Sequence, residues 1–157
     1  MELPFRIGDP AQAIDNKKNI EVDDALMQNA LHILLVEDNM FNQMVAIDSI
    51  ESYFSNARID VAENGQIAVD KLQAGNYDLI LMDVQMPVMD GYEAARTIRK
   101  MDPEEKRKTP IVAMTASVIK SEVDKCFESG MDDFISKPFE TEDLVQKISK
   151  YAHGNGN

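Results

Sequence analysis

The chain is 157 residues long, enough for one domain with a sizeable core plus a short extra segment. Its 28 acidic and 16 basic residues give a net charge of −12 without a basic run, which argues against direct contact with nucleic acid or an anionic membrane. The single cysteine, Cys126, cannot close a disulfide within the chain, no apolar run approaches the roughly 18 residues of a membrane span, and the acidic opening "MELPFRIGDP" is unlike a signal peptide, so a cytoplasmic protein is expected.

Residues 1–30 contain "GDPAQAIDNKKNIEVDD", a polar run with turn formers and no sustained period. They read as a linker or the tail of a preceding domain, with one short helical turn set near Val22, Leu26 and Ala30. From His32 onward, short apolar runs alternate with longer segments of helical period. In chain order the pattern predicts a strand at His32 to Val36, a helix at about Met40 to Tyr53, a strand at Arg58 to Ala62 and a helix at Gln66 to Ala74. It continues with a strand at Leu79 to Asp83, a helix at Tyr92 to Met101, a strand at Ile111 to Thr115 and a helix at Ser121 to Ser129. The last pair is a strand at Asp133 to Ser136 and a helix at Thr141 to Tyr151. Residues 31–153 thus make one domain, and the closing "GNGN", 154–157, reads as a disordered tail.

Five β/α units whose strands are nearly continuous apolar runs indicate an α/β fold, a doubly wound parallel sheet covered on both faces. In such sheets ligands bind beyond the C-terminal ends of the strands. Those ends carry Glu37 and Asp38, then Asp83, Thr115 and Lys137. Carboxylates gathered in one pocket repel one another, and the arrangement holds only with a cation present or with protons taken up. Hard oxygen ligands of this kind suit Mg2+, which keeps several waters and takes one or two protein carboxylates plus phosphate oxygens. A lysine ammonium neutralises a further phosphoryl oxygen, a threonine hydroxyl bonds another, and aspartate is a covalent acceptor of phosphate. The set is built to accept a phosphoryl group.

The segments "LLVEDNMFNQ", "LILMDVQMPVMDGYEA", "PIVAMTAS" and "DDFISKPF" resemble, in order, the signature segments of the response-regulator receiver domain. The resemblance implies a flavodoxin-like five-stranded sheet of order 2-1-3-4-5, phosphorylated on Asp83 by a histidine kinase or a histidine phosphotransfer protein. It implies that Asp38 and Asp83 bind Mg2+ directly, that the backbone carbonyl of Gln85 supplies another ligand and that Glu37 acts through water. Lys137 would contact the phosphoryl group and Thr115 would be the switch hydroxyl. Phe134 takes the aromatic switch position, which is tyrosine in many relatives, and Gln85 and Ser117 would be rate-tuning neighbours, not catalysts, of an expected slow loss of phosphate. The Lys137–Pro138 bond is expected to be cis. Phosphorylation would add charge and acceptor oxygens at Asp83, and the fourth and fifth strand-helix units would read this out. The protein is therefore not expected to be an enzyme beyond Mg2+-dependent self-phosphorylation from a donor and slow autodephosphorylation. "VEDNMFNQMVA" resembles receivers at the C-terminal ends of hybrid sensor histidine kinases, and "MELPF" would be the last strand of the kinase ATP-binding domain. An excised receiver and a free-standing relay protein both fit, and dimerisation through the fourth and fifth units stays open.

Plainer readings stand beside these. Asp38 or Asn39 alone would be a turn residue or a helix N-cap, and Asp90 in "VMDGYEAA" reads as an N-cap without chemistry. Lys137 alone would be a solvated charge and Phe134 alone a packing residue. His32 and His153 read as structural or solvated, and Cys126 as packing within a helix. In the first helix Val45, Ala46, Ile50 and Tyr53 form a stripe suited to the sheet. Phe41 and Met44, with Met40 and Ile47, fall elsewhere and read either as scattered surface apolar residues or as a docking patch for the phosphodonor. A Mg2+-dependent phosphohydrolase using an aspartate nucleophile would place a second aspartate two residues beyond it, where Gln85 stands. A flavodoxin-like cofactor binder would place a Ser/Thr/Gly-rich loop where Glu37, Asp38 and Asn39 stand. A receiver serving only as a non-phosphorylated docking module is the third alternative, against which the intact acidic set argues.

Overall fold

A computed structural model describes residues 30–86 and 88–155 of the chain. The expected linker, with Val22 and Leu26, lies outside the described residues, as do the side chain of His153 and residues 156 and 157. Ala30 is exposed and in no helix.

Five strands carry the fold: β1 (His32–Val36), β2 (Arg58–Ala62), β3 (Leu79–Asp83), β4 (Ile111–Thr115) and β5 (Asp133–Ser136). All pair in parallel, in the order β2-β1-β3-β4-β5, as the apolar runs require. Alternate side chains of each central strand enter opposite cores. Leu34, Val36, Ile80, Met82, Ile111 and Ala113 face α2 (Gly65–Ala74), α3 (Gly91–Ile98) and α4 (Lys120–Glu128). Ile33, Leu35, Leu79, Leu81, Val112 and Met114 face α1 (Met40–Glu51) and α5 (Thr141–Asn155). No described helix is long and apolar enough to cross a membrane.

Helix starts follow capping chemistry. Asn39 Oδ1 accepts the N–H of Asn42 at 3.0 Å, Asn64 Oδ1 that of Ile67 at 2.9 Å, and Asp90 Oδ1 that of Glu93 at 2.9 Å. Helix ends depart from the sequence pattern. The first helix stops at Glu51 rather than Tyr53, because the chain tightens through a Tyr53 N–H to Ile50 O bond and turns Phe54 fully into the core. The third stops at Ile98 rather than Met101, where Lys100 and Met101 close short turns onto Thr97 and Ile98. The last runs on to Asn155, taking in the first two residues of the expected tail. A one-turn helix at Glu104–Arg107 went unforeseen, being too short to show a period.

The chain then reverses beyond β3. There Val88 holds a φ of 71°, a left-handed conformation costly for a branched side chain, and is 82% exposed, so no packing offsets the strain. Asparagine tolerates this region, and Val88→Asn should raise the free energy of unfolding by about 1 kcal/mol. Urea denaturation should show a higher midpoint at unchanged slope, and a lower midpoint would contradict the strain argument.

Candidate functional site

Strand register assembles the site. Val36 of β1 pairs with Met82 of β3, so one step further Glu37 and Asp83 stand side by side at the strand ends. Asp83 pairs with Met114 of β4 and Thr115 with Ser136 of β5, while the Lys137 N–H donates to the Thr115 carbonyl at 2.8 Å. Four neighbouring strand ends thus deliver two acids, a hydroxyl and an ammonium to one edge. The bond Lys137–Pro138 is cis.

A cleft of about 260 Å³ opens there, lined among others by Glu37, Asp38, Asp83, Gln85 and Lys137. Carboxylate oxygens of Glu37, Asp38 and Asp83 lie within 4.8 Å of one another. Glu37 and Asp83 are buried, whereas Asp38 is exposed. Lys137 Nζ sits 3.0 Å from Glu37 Oε1 and 3.4 Å from Asp83 Oδ2. The Asp83 Oδ1 atom accepts the Gln85 N–H at 3.2 Å.

Electrostatics separate the two buried acids. Burial pushes the Asp83 carboxyl up to about 6, helped by the Glu37 charge and opposed by the Gln85 N–H and Lys137. Burial acts on Glu37 in the same sense, but bonds from Lys137, the Asn39 N–H and Asn42 outweigh it, and its value is lowered. Burial pulls Lys137 down, yet the two acids outweigh this and hold it charged. One ammonium against three carboxylates leaves a net negative, oxygen-rich cleft with one exposed member. That donor set fits a hard divalent cation that keeps part of its water.

Other expected residues lie around this centre. Thr115 is buried, but its hydroxyl is engaged in its own loop, donating to the Ser117 carbonyl at 2.9 Å and accepting the Ser117 N–H at 3.1 Å. Phe134 is half-buried and meets Phe127 of α4 edge-on, centroids 6.3 Å apart at 82°. Phe41 and Met44 are 70% and 57% exposed, and Met40 is exposed beside them. The expected inward stripe of α1 needs correction. Val45 is exposed, and the polar Ser49 takes the inward place beside Ala46 and Ile50, its hydroxyl 3.2 Å from that of Thr141 on α5. Ile47, grouped with Phe41 and Met44 in the sequence, instead packs partly against the core. His32 bonds Asp60 at 2.9 Å at the N-terminal end of the sheet, away from the cleft, and Cys126 is fully buried.

Three residues passed over in the sequence shape the site. Gln43 and Asn42, on the first turn of α1, send their amides to Glu37. Gly91 lets the start of α3 approach the end of β3, since a Cβ there would lie 2.4 Å from the Asp83 carbonyl. "NQ" after the acids and "DG" before the helix were the available signals.

Residues 33–149 match the family model described as response regulator receiver domain. Probable histidine kinase 6 of Oryza sativa subsp. japonica is 40% identical over 140 residues, which cover 78% of this chain and 14% of that kinase, so the chain spans a small part of this relative's length. Among solved structures, the receiver domain of the sensor histidine kinase PA1611 from Pseudomonas aeruginosa PAO1, with a magnesium ion coordinated in its active site cleft, is 35% identical at a TM-score of 0.72, covering 80% of this chain and 99% of that one. The receiver domain of the Saccharomyces cerevisiae response regulator Ssk1, crystallised with the histidine phosphotransfer protein Ypd1, is 32% identical at a TM-score of 0.73, covering 79% and 90%. On its sequence match, its strand order and the acids at its strand ends, the chain belongs to the response regulator receiver domain family of two-component and phosphorelay systems.

Proposed function

We propose that the chain accepts a phosphoryl group on Asp83 from a phosphohistidine, carried by a histidine kinase or a histidine phosphotransfer protein in the cytoplasm. The observation that carries this reading is a buried aspartate, Asp83, set between an ammonium and two further acids at an open cleft. Asp83 and Asp38 would hold Mg2+ directly, with the Gln85 backbone carbonyl, and Glu37 through water. Bound there, Mg2+ supplies charge neutralisation for the phosphoryl oxygens.

The chain's own groups divide the rest of the work. A carboxylate oxygen of Asp83 forms the new O–P bond as the P–N bond to the donor imidazole breaks, and the electron pair of that bond leaves with the ring. Lys137, already 3.4 Å from Asp83, meets the charge arriving on the phosphoryl oxygens. The Thr115 hydroxyl would give up its two bonds to Ser117 and turn to the phosphoryl group. Phe134 would follow into the space released, so β4, α4 and β5 carry the readout. Gln85, which lines the cleft, and Ser117, bonded to the Thr115 hydroxyl, would tune the rate of phosphate loss. The exposed Phe41 and Met44 of α1 lie one turn beyond the acids and would receive the donor's helical surface. That Ypd1 binds a receiver domain related to this one supports such a donor.

Three measurements test the reading. With acetyl phosphate and Mg2+, the native chain should be labelled and Asp83→Asn should not. Full labelling of that variant would sink the assignment.

The same variant should be more stable than the native chain when metal is chelated at pH 7. The folded-state value of Asp83, about 6, lies above its ordinary 3.8, so folding favours the protonated form. Below about pH 4 both states hold the proton and the penalty is absent; above about pH 6 it is complete. The gain should be on the order of 1–3 kcal/mol at pH 7 and fade towards pH 4, read from urea denaturation in EDTA. A gain independent of pH would contradict the charge argument.

Met44→Glu places a charge in the exposed apolar stripe. It should slow transfer from a phosphorylated donor protein about tenfold or more while leaving labelling by acetyl phosphate unchanged. Equal loss with both donors would place the effect in the cleft instead.

A further inference from the structure

Glu37 is where the chain leaves the sheet. Its N–H still donates to the Ala62 carbonyl of β2 at 2.9 Å, the last bond of that ladder. Its own carbonyl has passed beyond the strand pairing, on a residue that is only 2% exposed. Gln43 Nε2 donates to that carbonyl at 2.8 Å. The carbonyl belongs to the peptide plane joining Glu37 to Asp38, so this one amide sets the plane from which both acidic side chains depart.

The Glu37 carboxylate is held from the same helix. Its Oε2 atom accepts the Asn39 N–H at 3.1 Å and lies 3.5 Å from Asn42 Nδ2, while Lys137 takes Oε1. Asn42 is itself tied down, its N–H bonded to Asn39 Oδ1 at 3.0 Å. A carboxylate held at both oxygens has little freedom to turn.

Resting on the reading of this cleft as a divalent-cation site, we infer that Gln43, assisted by Asn42, is a positioning residue that presents Asp38 and Glu37 to the cation without touching it. Residues that orient metal-ligating groups have effects on metal affinity of about 10–100-fold. Packing alone would not require an amide at Gln43, and a purely structural amide would leave metal affinity untouched once the chain is folded.

Gln43→Met keeps the length and helix preference of the side chain and removes the donor. Calorimetric titration of the full chain with MgCl2, well below the melting temperature, should show binding about tenfold weaker than native. The rise in melting temperature at a fixed subsaturating Mg2+ concentration should shrink in step. Labelling by acetyl phosphate should fall at low Mg2+ and recover at saturating Mg2+. Asn42→Ala, on a half-buried residue, should show a several-fold loss of affinity in the same titration, and decides the matter if Gln43→Met does not fold. Native Mg2+ affinity in the folded variants, with or without a lower melting temperature, overturns the positioning role while labelling of Asp83 keeps the phosphoacceptor reading standing. Failure of the unsubstituted chain to bind Mg2+ overturns both.

Discussion

Repulsion among Glu37, Asp38 and Asp83, only partly relieved by Lys137, is the constraint around which the molecule is arranged. A parallel sheet ends all its strands on one side, and charge placed at those ends concentrates there. Below the acids, Leu34, Leu35 and Val36 of β1 and Ile80, Leu81 and Met82 of β3 are fully buried, so the strands cannot shift to separate the charges. Relief has to come from added groups: a proton, the Lys137 ammonium or a cation. Burial raises the values of both acids; at Glu37 the bonds from Lys137, the Asn39 N–H and Asn42 overcome it, while at Asp83 it prevails over Gln85 and Lys137. Asp83, where burial prevails, is the acid at which added positive charge has most to gain.

Much of this was legible in the chain because strands buried on both faces leave contiguous apolar runs. "HILLV", "LILMD" and "IVAMT" begin and end where the strands do. Their terminal acids could be placed on one edge from topology alone. Helix ends were less legible, since they depend on which distant side chain the core captures. Phe54 ends α1 early by entering the core, a choice made by space beside β1 and α5 rather than by local preference. The short turn at Glu104–Arg107 is defined by what Lys106 reaches, its ammonium 2.6 Å from the Leu72 and Gly75 carbonyls at the end of α2, and no spacing in the sequence announces such a contact.

The faces of α1 show the same limit in another form. Hydropathy puts Val45 on the inward stripe and gives Ser49 no place there, whereas Ser49 is buried and Val45 exposed. Ser49 tolerates burial because Thr141 supplies a partner for its hydroxyl across the α1 and α5 contact. With that pair satisfied, Val45 is left to join Phe41 and Met44 on the exposed side. A polar residue with a remote partner therefore decides where an apolar stripe lies. That stripe begins on the same helical turn as the amides of Asn42 and Gln43, so a single turn of helix both holds the acidic wall and borders the open surface beside it.

The two edges of the sheet are bonded unequally, and this bears on how the site end can rearrange. At the N-terminal edge Arg99 donates to the carbonyls of Gly130, Arg107 and Thr109 and to Asp132 Oδ2, all at 2.7–2.8 Å. Asp132 in turn accepts the Ile111 N–H that opens β4. Gly130 admits this clamp, since its φ is 107° and a Cβ there would lie 2.7 Å from the Arg99 side chain. Across the sheet His32 and Tyr77 converge on Asp60, tying β1 to β2 at the same edge. At the C-terminal edge the loop after β4 carries exposed Val118 and Ile119, and its buried hydroxyl is bonded only within the loop. The Ile119 cap of α4 has no side-chain hydrogen bond. Rearranging the Thr115 loop therefore breaks mainly bonds within the loop, while α4 is held to α3 by Tyr92, whose hydroxyl donates to Glu122 at 3.0 Å, and the strands are clamped at their other ends. Under the proposed function, charge arriving at Asp83 would act first on the Thr115 loop, whose hydroxyl bonds are local, and the Tyr92–Glu122 bond would be the contact that resists movement of α4.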